Sequence, residues 1–175
     1  MKSLIECINE ARVAKMNRKK FMDNLISYSQ EQNFIKVDND DSWKYKSYPK
    51  PNTVWVKENS IEFFYEDGIS LRVCNYAPNN RSKNLLKVEV RSYNNKGYSK
   101  SSDIAIKVWT EKHEYFDINK LLGEEANGIL NKIKTLIDPK IIKKIVSKYF
   151  KKSDNGYEKK SDKFNDRIIN YEDIK

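Results

Sequence analysis

The run from Ser60 to Tyr76, SIEFFYEDGISLRVCNY, constrains the fold of this chain more than any other part. It consists of two segments rich in β-branched and aromatic residues that meet at Asp67-Gly68. This dipeptide is a strong signal for a tight hairpin turn, because glycine accepts the positive φ that such a turn requires. The sequence therefore predicts two antiparallel strands joined at Asp67-Gly68.

Further strands are predicted on both sides of this hairpin, over about residues 42–116. Leu86, Val88 and Val90 alternate with charged residues, which predicts one buried face and one face in water. Strands that follow one another in sequence and are joined by short turns pair antiparallel. We therefore expect an antiparallel sheet of about five to seven strands.

Helices are predicted before and after the sheet. From Lys2 to about Glu31, apolar residues recur at three- and four-residue steps without Pro or Gly, which indicates an N-terminal helix. Two C-terminal helices are predicted at about 118–137 and 139–152, the second with an Asp-Pro sequence at its start. The expected fold class is therefore α+β.

The length of 175 residues suits one domain. Hydrophobic residues make up only 38% of the chain, but the aromatic residues among them supply enough bulky apolar surface to argue against disorder. We expect residues 11–152 to form a single α+β domain, and residues 153–175 to form a polar linker with a short C-terminal segment.

The net charge of +9 favours a polyanionic partner. Basic residues cluster in the middle of the N-terminal helix, where no acid lies between Ala11 and Met22, and in the last predicted helix, and we take these clusters as candidate DNA contacts. A solvated helix face is the alternative interpretation of both clusters. The candidates are Arg12, Lys15, Arg18, Lys19 and Lys20, together with Lys140, Lys143, Lys144, Lys148, Lys151 and Lys152.

Aromatic residues lie among lysines just before and within the predicted sheet. Proteins that bind single strands stack bases on such rings and hold phosphates on nearby lysines. Packing of the same rings in the core is the alternative. The residues concerned are Trp43, Tyr45, Tyr48 and Trp55.

The sequence predicts no catalytic site. His113 has no neighbouring catalytic partner, which leaves it without the constellation that an active site needs. Acidic residues on strands, namely Glu62, Glu66, Asp67 and Glu89, could hold Mg²⁺ in a nuclease. Charge alternation in a sheet produces such groups without any catalytic role, so we expect a protein that is not an enzyme.

No metal site, cofactor or membrane segment is predicted either. The only cysteines, Cys7 and Cys74, lack the paired spacing of a zinc site, and no phosphate-binding or dinucleotide motif occurs. No apolar run reaches the roughly 18 residues that a membrane span requires.

The N-terminal segment MKSLIECINEARV carries the most specific motif of the chain. Met1-Lys2-Ser3, Glu6, and the step Ile8-Asn9-Glu10 followed by Ala11 resemble the leader of the internal head proteins of T-even-like bacteriophages. In that family the leader begins Met-Lys-Thr and ends with an apolar-x-Glu step followed by Ala. The resemblance is confined to residues 1–13, where Ser3 replaces the usual Thr.

The resemblance implies that residues 1–10 are a capsid-targeting leader. Such a leader brings the protein to the scaffold core of the prohead, where the prohead protease cuts after the glutamate of the apolar-x-Glu step. The implied cleavage site consists of Ile8, Glu10 and Ala11, with Ala11 as the new N-terminus.

The resemblance further implies that the protein is packaged with the phage DNA in the head and injected with it into the host cytoplasm. Known members of the family include an inhibitor of a host restriction system. We therefore expect a non-enzymatic inhibitor of a host defence nuclease that acts early in infection. A basic internal protein that condenses DNA without a host target is the alternative, and a Mg²⁺-dependent nuclease is the second alternative.

Overall fold

The computed structural model of the chain describes residues 3–38, 48–76, 85–94, 100–109, 116–117, 123–160 and 168–174. It confirms the α+β class, with one large sheet, a small two-stranded sheet and three α-helices in this described part. The helices are α1 (Leu4–Glu31), α2 (Gly123–Ile137) and α3 (Pro139–Tyr149). The strands are β1 (Ile35–Asp38), β2 (Thr53–Lys57), β3 (Ser60–Phe64), β4 (Ile69–Tyr76), β5 (Leu85–Tyr93), β6 (Lys100–Lys107), β7 (Phe116–Asp117), β8 (Phe150–Ser153), β9 (Gly156–Lys159) and β10 (Ile168–Asn170).

The large sheet is mixed, which corrects the expectation of an antiparallel sheet within about residues 42–116. Its strand order is β1-β2-β3-β4-β5-β6-β10, and β7 pairs with the start of β5. The strands from β2 to β6 pair antiparallel, whereas β1 is parallel to β2 and β10 is parallel to β6. The two parallel strands come from outside the predicted sheet region and reach it through long connections, so no short turn imposes an antiparallel direction on them.

The hairpin predicted at Asp67-Gly68 is confirmed. Both residues have positive φ, 59° and 69°, and Phe64 and Ser70 pair on the two sides of the turn. The Tyr65 N–H donates to the carbonyl of Ile69 at 2.9 Å, which closes the hairpin. Glycine at the second turn position is therefore required by the backbone, as the sequence predicts.

All three helices pack on one face of the large sheet and form the main core with it. The buried side of the sheet consists of the apolar residues that alternate along β3, β4, β5 and β6. The helices contribute Phe21 and Leu25 from α1, Ile133, Leu136 and Ile137 from α2, and Ile142 and Ile145 from α3.

The last helix is shorter than predicted. The expected span of 139–152 is wrong at its end, because α3 stops at Tyr149 and the chain continues as β8. Residues 153–160, predicted as a polar linker, form a turn and β9 instead. The physical reason is the hairpin turn, where Gly156 adopts a φ of 119° that lets β8 and β9 pair.

The β8–β9 hairpin is fixed to the large sheet by hydrogen bonds between distant parts of the sequence. The Tyr157 N–H donates to Ser92 Oγ at 3.0 Å, and the Lys159 N–H donates to Ser102 Oγ at 3.2 Å. These bonds anchor β9 over β5 and β6, beside the end of α3. Such contacts between distant residues are not visible in the local sequence. The helical spacing of the lysines therefore wrongly extended the predicted helix to residue 152.

Helix starts follow the expected capping chemistry. Asp138 caps α3, as predicted, because its Oδ1 accepts from the Lys140 N–H at 2.8 Å. Ser3 and Glu6 form a reciprocal capping box at the start of α1, with backbone-to-side-chain distances of 2.7 and 3.2 Å. In the part of the chain that the structure describes, no helix combines the length and apolar character that a membrane span needs.

We expect Gly156→Ala to destabilise the fold by about 2–3 kcal/mol. The added Cβ would lie 2.6 Å from the carbonyl oxygen of Tyr93, and alanine disfavours the φ of 119° at this position. Urea unfolding followed by circular dichroism measures the change.

Gly128→Ala is the matched control. Gly128 is exposed in α2, and a Cβ added there meets nothing within 4 Å. Alanine is the better helix former, so this variant should gain about 0.5–1 kcal/mol. Equal stability of the two variants would contradict the proposed anchoring of β9.

Candidate nucleic-acid interface

Four lysines of α3 lie together on the side of the helix that faces away from the core. Lys140, Lys143, Lys144 and Lys148 are all exposed, and their three- and four-residue spacing places them on neighbouring turns. We call these four residues the lysine surface. They are the part of the predicted DNA-binding set that the structure brings together.

The lysine surface borders a shallow depression of about 560 Å³. Its other lining residues are Ser147 and, from the C-terminal turn, Asp173 and Ile174. Lys148 Nζ donates to the main-chain carbonyl of Asp173 at 3.0 Å, which holds this turn against α3. The depression is therefore a concave surface of high positive charge, suited to a phosphate backbone.

The remaining predicted contacts lie elsewhere. Lys151 and Lys152 are exposed but belong to β8, so they do not continue the helix face as the sequence predicts. The N-terminal group is on α1, which packs mainly on α2 and β1. Arg12, Lys19 and Lys20 are exposed, Arg18 is half-buried, and the side chain of Lys15 lies outside the described part.

A second, more enclosed cavity of about 390 Å³ lies on the other side of the same helix. We call it the turn pocket, because one wall is the Asp67-Gly68 turn and the opposite walls are α3 and β9. Lys143 and Ser147 line both this pocket and the lysine depression. The sequence did not predict it, because its lining residues come from segments that are far apart in the sequence. Its other lining residues are Asn52, Tyr65, Glu66, Asp67, Ile69, Pro139, Ile142, Val146 and Tyr157.

On the sheet face opposite the helices, Arg72, Lys87 and Arg91 are partly exposed, but two acids are buried. Glu62 is 5% exposed and Glu89 2% exposed. Glu62 Oε1 accepts from Ser70 Oγ at 2.6 Å and from the Tyr93 hydroxyl at 2.5 Å, and Arg91 Nη1 lies 3.4 Å away. A buried carboxylate is tolerated only with such partners, so these contacts explain how an acid sits in the interior.

Glu89 is held in the same way by the cations beside it. Its Oε2 lies 2.7 Å from Lys87 Nζ, and its Oε1 lies 3.6 Å from Arg72 Nη1 and 3.7 Å from Arg91 Nε. Burial alone would lower the pKa of Lys87, but its hydrogen bond and attraction to Glu89 raise the pKa above the ordinary value of 10.5. This ammonium therefore stays charged and keeps Glu89 paired.

Asp103, on the neighbouring strand, completes this group of charges. Burial acts to raise the pKa of its carboxyl, but Lys100 Nζ at 2.7 Å, with Lys87 nearby, outweighs burial and holds the pKa below 3.8. The carboxylate is therefore ionised at neutral pH. The whole group is a ladder of alternating charges across β4, β5 and β6.

This arrangement bears on the nuclease alternative. Glu62 and Glu89 are engaged by cations and hydroxyls of the chain itself, whereas Glu66 and Asp67 lie apart from them at the exposed turn. The four acids predicted as a possible magnesium cluster are thus divided between two places. Within the described ranges, no group of three Asp, Glu, His or Cys residues is placed to hold a metal ion.

The aromatic residues of the lysine-rich segment pack with one another, as the core alternative predicts. Tyr48 and Trp55 lie against Phe64, with ring centroids 5.4 and 4.8 Å apart from it, and Tyr93 joins the group. Trp55 is only 3% exposed, so its ring is not available for base stacking. Trp43, Tyr45 and His113 lie outside the described residues.

The start of α1 exposes an apolar surface. Leu4 is 77% exposed, Ile5 71% and Ile8 44%. The first buried side chain described in this helix is Phe21, so residues 3–9 add nothing to the core. The helix backbone continues through Glu10 and Ala11, whose side chains are outside the described part.

Comparison of the chain with models of known protein families, with curated protein sequences and with solved structures finds no match.

We expect Glu62→Leu to destabilise the protein by about 3 kcal/mol, because Arg91, Ser70 and Tyr93 would keep their buried polar groups without the shared acceptor. Chemical denaturation gives the magnitude. Glu58→Leu, the same substitution at an exposed position in the turn between β2 and β3, should change stability by no more than about 0.5 kcal/mol. If both variants unfold at the same urea concentration, the carboxylate of Glu62 does not contribute to the stability of the fold as expected.

Proposed function

We propose that this chain is an internal head protein of a T-even-like bacteriophage, packaged in the capsid, injected with the DNA and active early in infection. The observation that carries the proposal is the N-terminal segment itself. It resembles the leader sequence described above, and it forms an exposed, capped end of α1 whose side chains from residue 3 to residue 9 are all exposed. A targeting segment that is first bound by a scaffold and then cleaved off must be separate from the core.

The geometry of this segment suits both steps that a leader must undergo. Leu4, Ile5 and Ile8 offer apolar side chains to a helical scaffold, which is how an amphipathic helix docks in a groove. The bond between Glu10 and Ala11 lies near the start of a helix, where local opening costs little free energy. A protease can therefore reach it without unfolding the domain.

We propose that, after injection, the mature domain inhibits a host defence nuclease by direct contact. Support comes from how much structure the domain has. Neutralising DNA charge requires only a disordered basic peptide, whereas this chain builds a mixed sheet with two buried, paired glutamates and an anchored C-terminal hairpin. Such a fold presents fixed surfaces, which recognition of one protein target requires.

DNA binding is the second candidate function, and the lysine surface specifically favours it. Four lysines around one depression concentrate positive charge in one place, which suits a phosphate backbone better than scattered surface lysines do. The two candidates are compatible, since a protein carried with the genome can contact DNA in the head and a protein target in the host.

The leader proposal predicts an N-terminus at Ala11 for the protein in purified virions, read by mass spectrometry of the intact chain. Glu10→Gln should remain uncut, because the scissile bond would lose its recognition residue. The control is Glu31→Gln, which removes a glutamate from the same helix. Ser29 stands two residues before Glu31, where the apolar-x-Glu step has an apolar residue, so Glu31 is not part of such a step and this variant should be cut normally after Glu10. An intact Met1 in virions, or absence from virions, would overturn the proposal.

The DNA-binding candidate predicts that Lys140→Gln with Lys144→Gln lowers the salt dependence of binding to duplex DNA. Each lost phosphate contact reduces the slope of log K against log salt by about 0.9, so the double variant should lose about 2. Fluorescence anisotropy at several salt concentrations measures it. The control is Lys36→Gln with Lys50→Gln, which removes the same charge at exposed positions outside the depression.

These measurements also separate the alternatives. Unchanged slopes in both double variants would remove the lysine surface from the proposal. A steep slope with no host protein recovered on the immobilised mature chain would favour DNA condensation over inhibition. A host protein recovered at one copy per chain would favour the inhibitor. Mg²⁺-dependent cleavage of DNA that Glu89→Gln abolishes would favour the nuclease instead.

A further inference from the structure

We propose that the turn pocket receives a single unpaired nucleobase from a DNA strand whose phosphates lie on the lysine surface. This inference rests on the DNA-binding half of the proposed function and adds the kind of nucleic acid that the protein prefers, which is single-stranded. The position, the size and the chemistry of the pocket each support it.

The position of the pocket relates it to the lysines. Lys143 and Ser147 form a ridge along α3, with the lysine depression on one side and the turn pocket on the other. A nucleotide is arranged in a similar way, because the sugar separates its charged phosphate from its flat base. A strand that runs along the depression therefore brings a base to the edge of the pocket.

The size of the pocket is appropriate. Its volume of about 390 Å³ lies within the range of roughly 300–1,000 Å³ that is usual for small-molecule sites. Ile69, Ile142 and Val146 are apolar residues of its lining, and Tyr65 and Tyr157 are aromatic ones. Apolar and aromatic side chains of this kind are what a base contacts when it leaves its stack.

The polar groups at the rim match the edge of a base. Glu66 and Asp67 are exposed at the turn, and Asn52 also lines the pocket. Carboxylates accept hydrogen bonds from exocyclic amino groups such as N4 of cytosine, and the amide of asparagine can pair with adenine. Thymine has no exocyclic amino group, so we expect cytosine to bind better than thymine.

The same geometry disfavours a duplex in the pocket. A base that is stacked and paired cannot enter an enclosed cavity unless it is flipped out, which costs a few kcal/mol. An oligonucleotide that is already single-stranded avoids this cost. The lysine surface alone would bind duplex and single strand through their phosphates, so the strand preference comes from the pocket.

The test measures binding of fluorescein-labelled oligo-dC, oligo-dT and a duplex of equal length by anisotropy, using the full chain. Val146→Trp fills the pocket from a half-buried position and leaves the lysines in place. We expect it to weaken oligo-dC binding about tenfold, to remove the preference for oligo-dC over oligo-dT, and to leave duplex binding and its salt slope unchanged.

Glu66→Gln with Asp67→Asn provides a second variant whose fold is secure, because Asn-Gly favours the same tight turn as Asp-Gly. It removes the carboxylate acceptors without filling the cavity. We expect the difference between oligo-dC and oligo-dT to shrink, while both oligonucleotides bind somewhat better because two negative charges near the phosphates are gone.

Failure of this inference is distinguishable from failure of the proposed function. If no DNA binds, or if the salt slope is flat, the DNA-binding candidate itself fails. If DNA binds with a steep salt slope but neither pocket variant changes the strand or base preference, the pocket proposal alone is overturned. If arginine amide binds the wild type and not Val146→Trp, while the oligonucleotides are unaffected, the occupant is a cationic protein side chain.

Discussion

The carboxylate of Glu62 is the interaction on which the rest of the structure depends. It lies in β3, it accepts from Ser70 of β4 and Tyr93 of β5, and Arg91 approaches it from β5. Because successive side chains of a strand point to opposite faces, a shift of one residue in any of these strands would break this set and expose the apolar face. One buried charge therefore fixes the register of three strands. That register positions the Asp67-Gly68 turn, and the turn forms a wall of the pocket beside α3.

The parts of the fold that were predictable from sequence are those with local causes. The turn at Asp67-Gly68 follows from the φ values that glycine allows, and the start of α3 follows from the capping of Lys140 by Asp138. The parallel edge strands were not predictable, because β10 pairs with β6 across more than sixty residues of sequence and no short-range pattern encodes that pairing. The alternation in β5 correctly located the core side of the strand, but it predicted that Glu89 is exposed to water. The burial of Glu89 depends on cations that lie beside it in the folded sheet, and the alternation does not reveal these.

The candidate site also has parts that the local sequence predicts and parts that depend on contacts between distant residues. The lysines of α3 were found by helical spacing alone, and the structure adds the C-terminal turn that makes their surface concave. Lys151 and Lys152 continue the spacing but belong to a strand, because Gly156 and the anchoring of Tyr157 to Ser92 favour a hairpin there. The turn pocket combines residues from four segments of the chain, so only the folded chain reveals it. Ile8, Glu10 and Ala11 are the opposite case, because the proposed cleavage site comes from a sequence resemblance alone and the fold adds only the position of these residues on α1.

The edges of the large sheet affect how readily copies of this protein associate at high concentration. In the described part of the chain, the path of paired strands ends at β1 and β10, for which four and three residues are described. An edge strand offers unpaired N–H and C=O groups to any neighbouring chain, and a short edge offers few of them. Copies of this protein confined together in a capsid, as the proposed role requires, would have little template for joining their sheets. Short edges therefore disfavour joining of the sheets of neighbouring copies, and the described residues of β1 and β10 present edges of this kind.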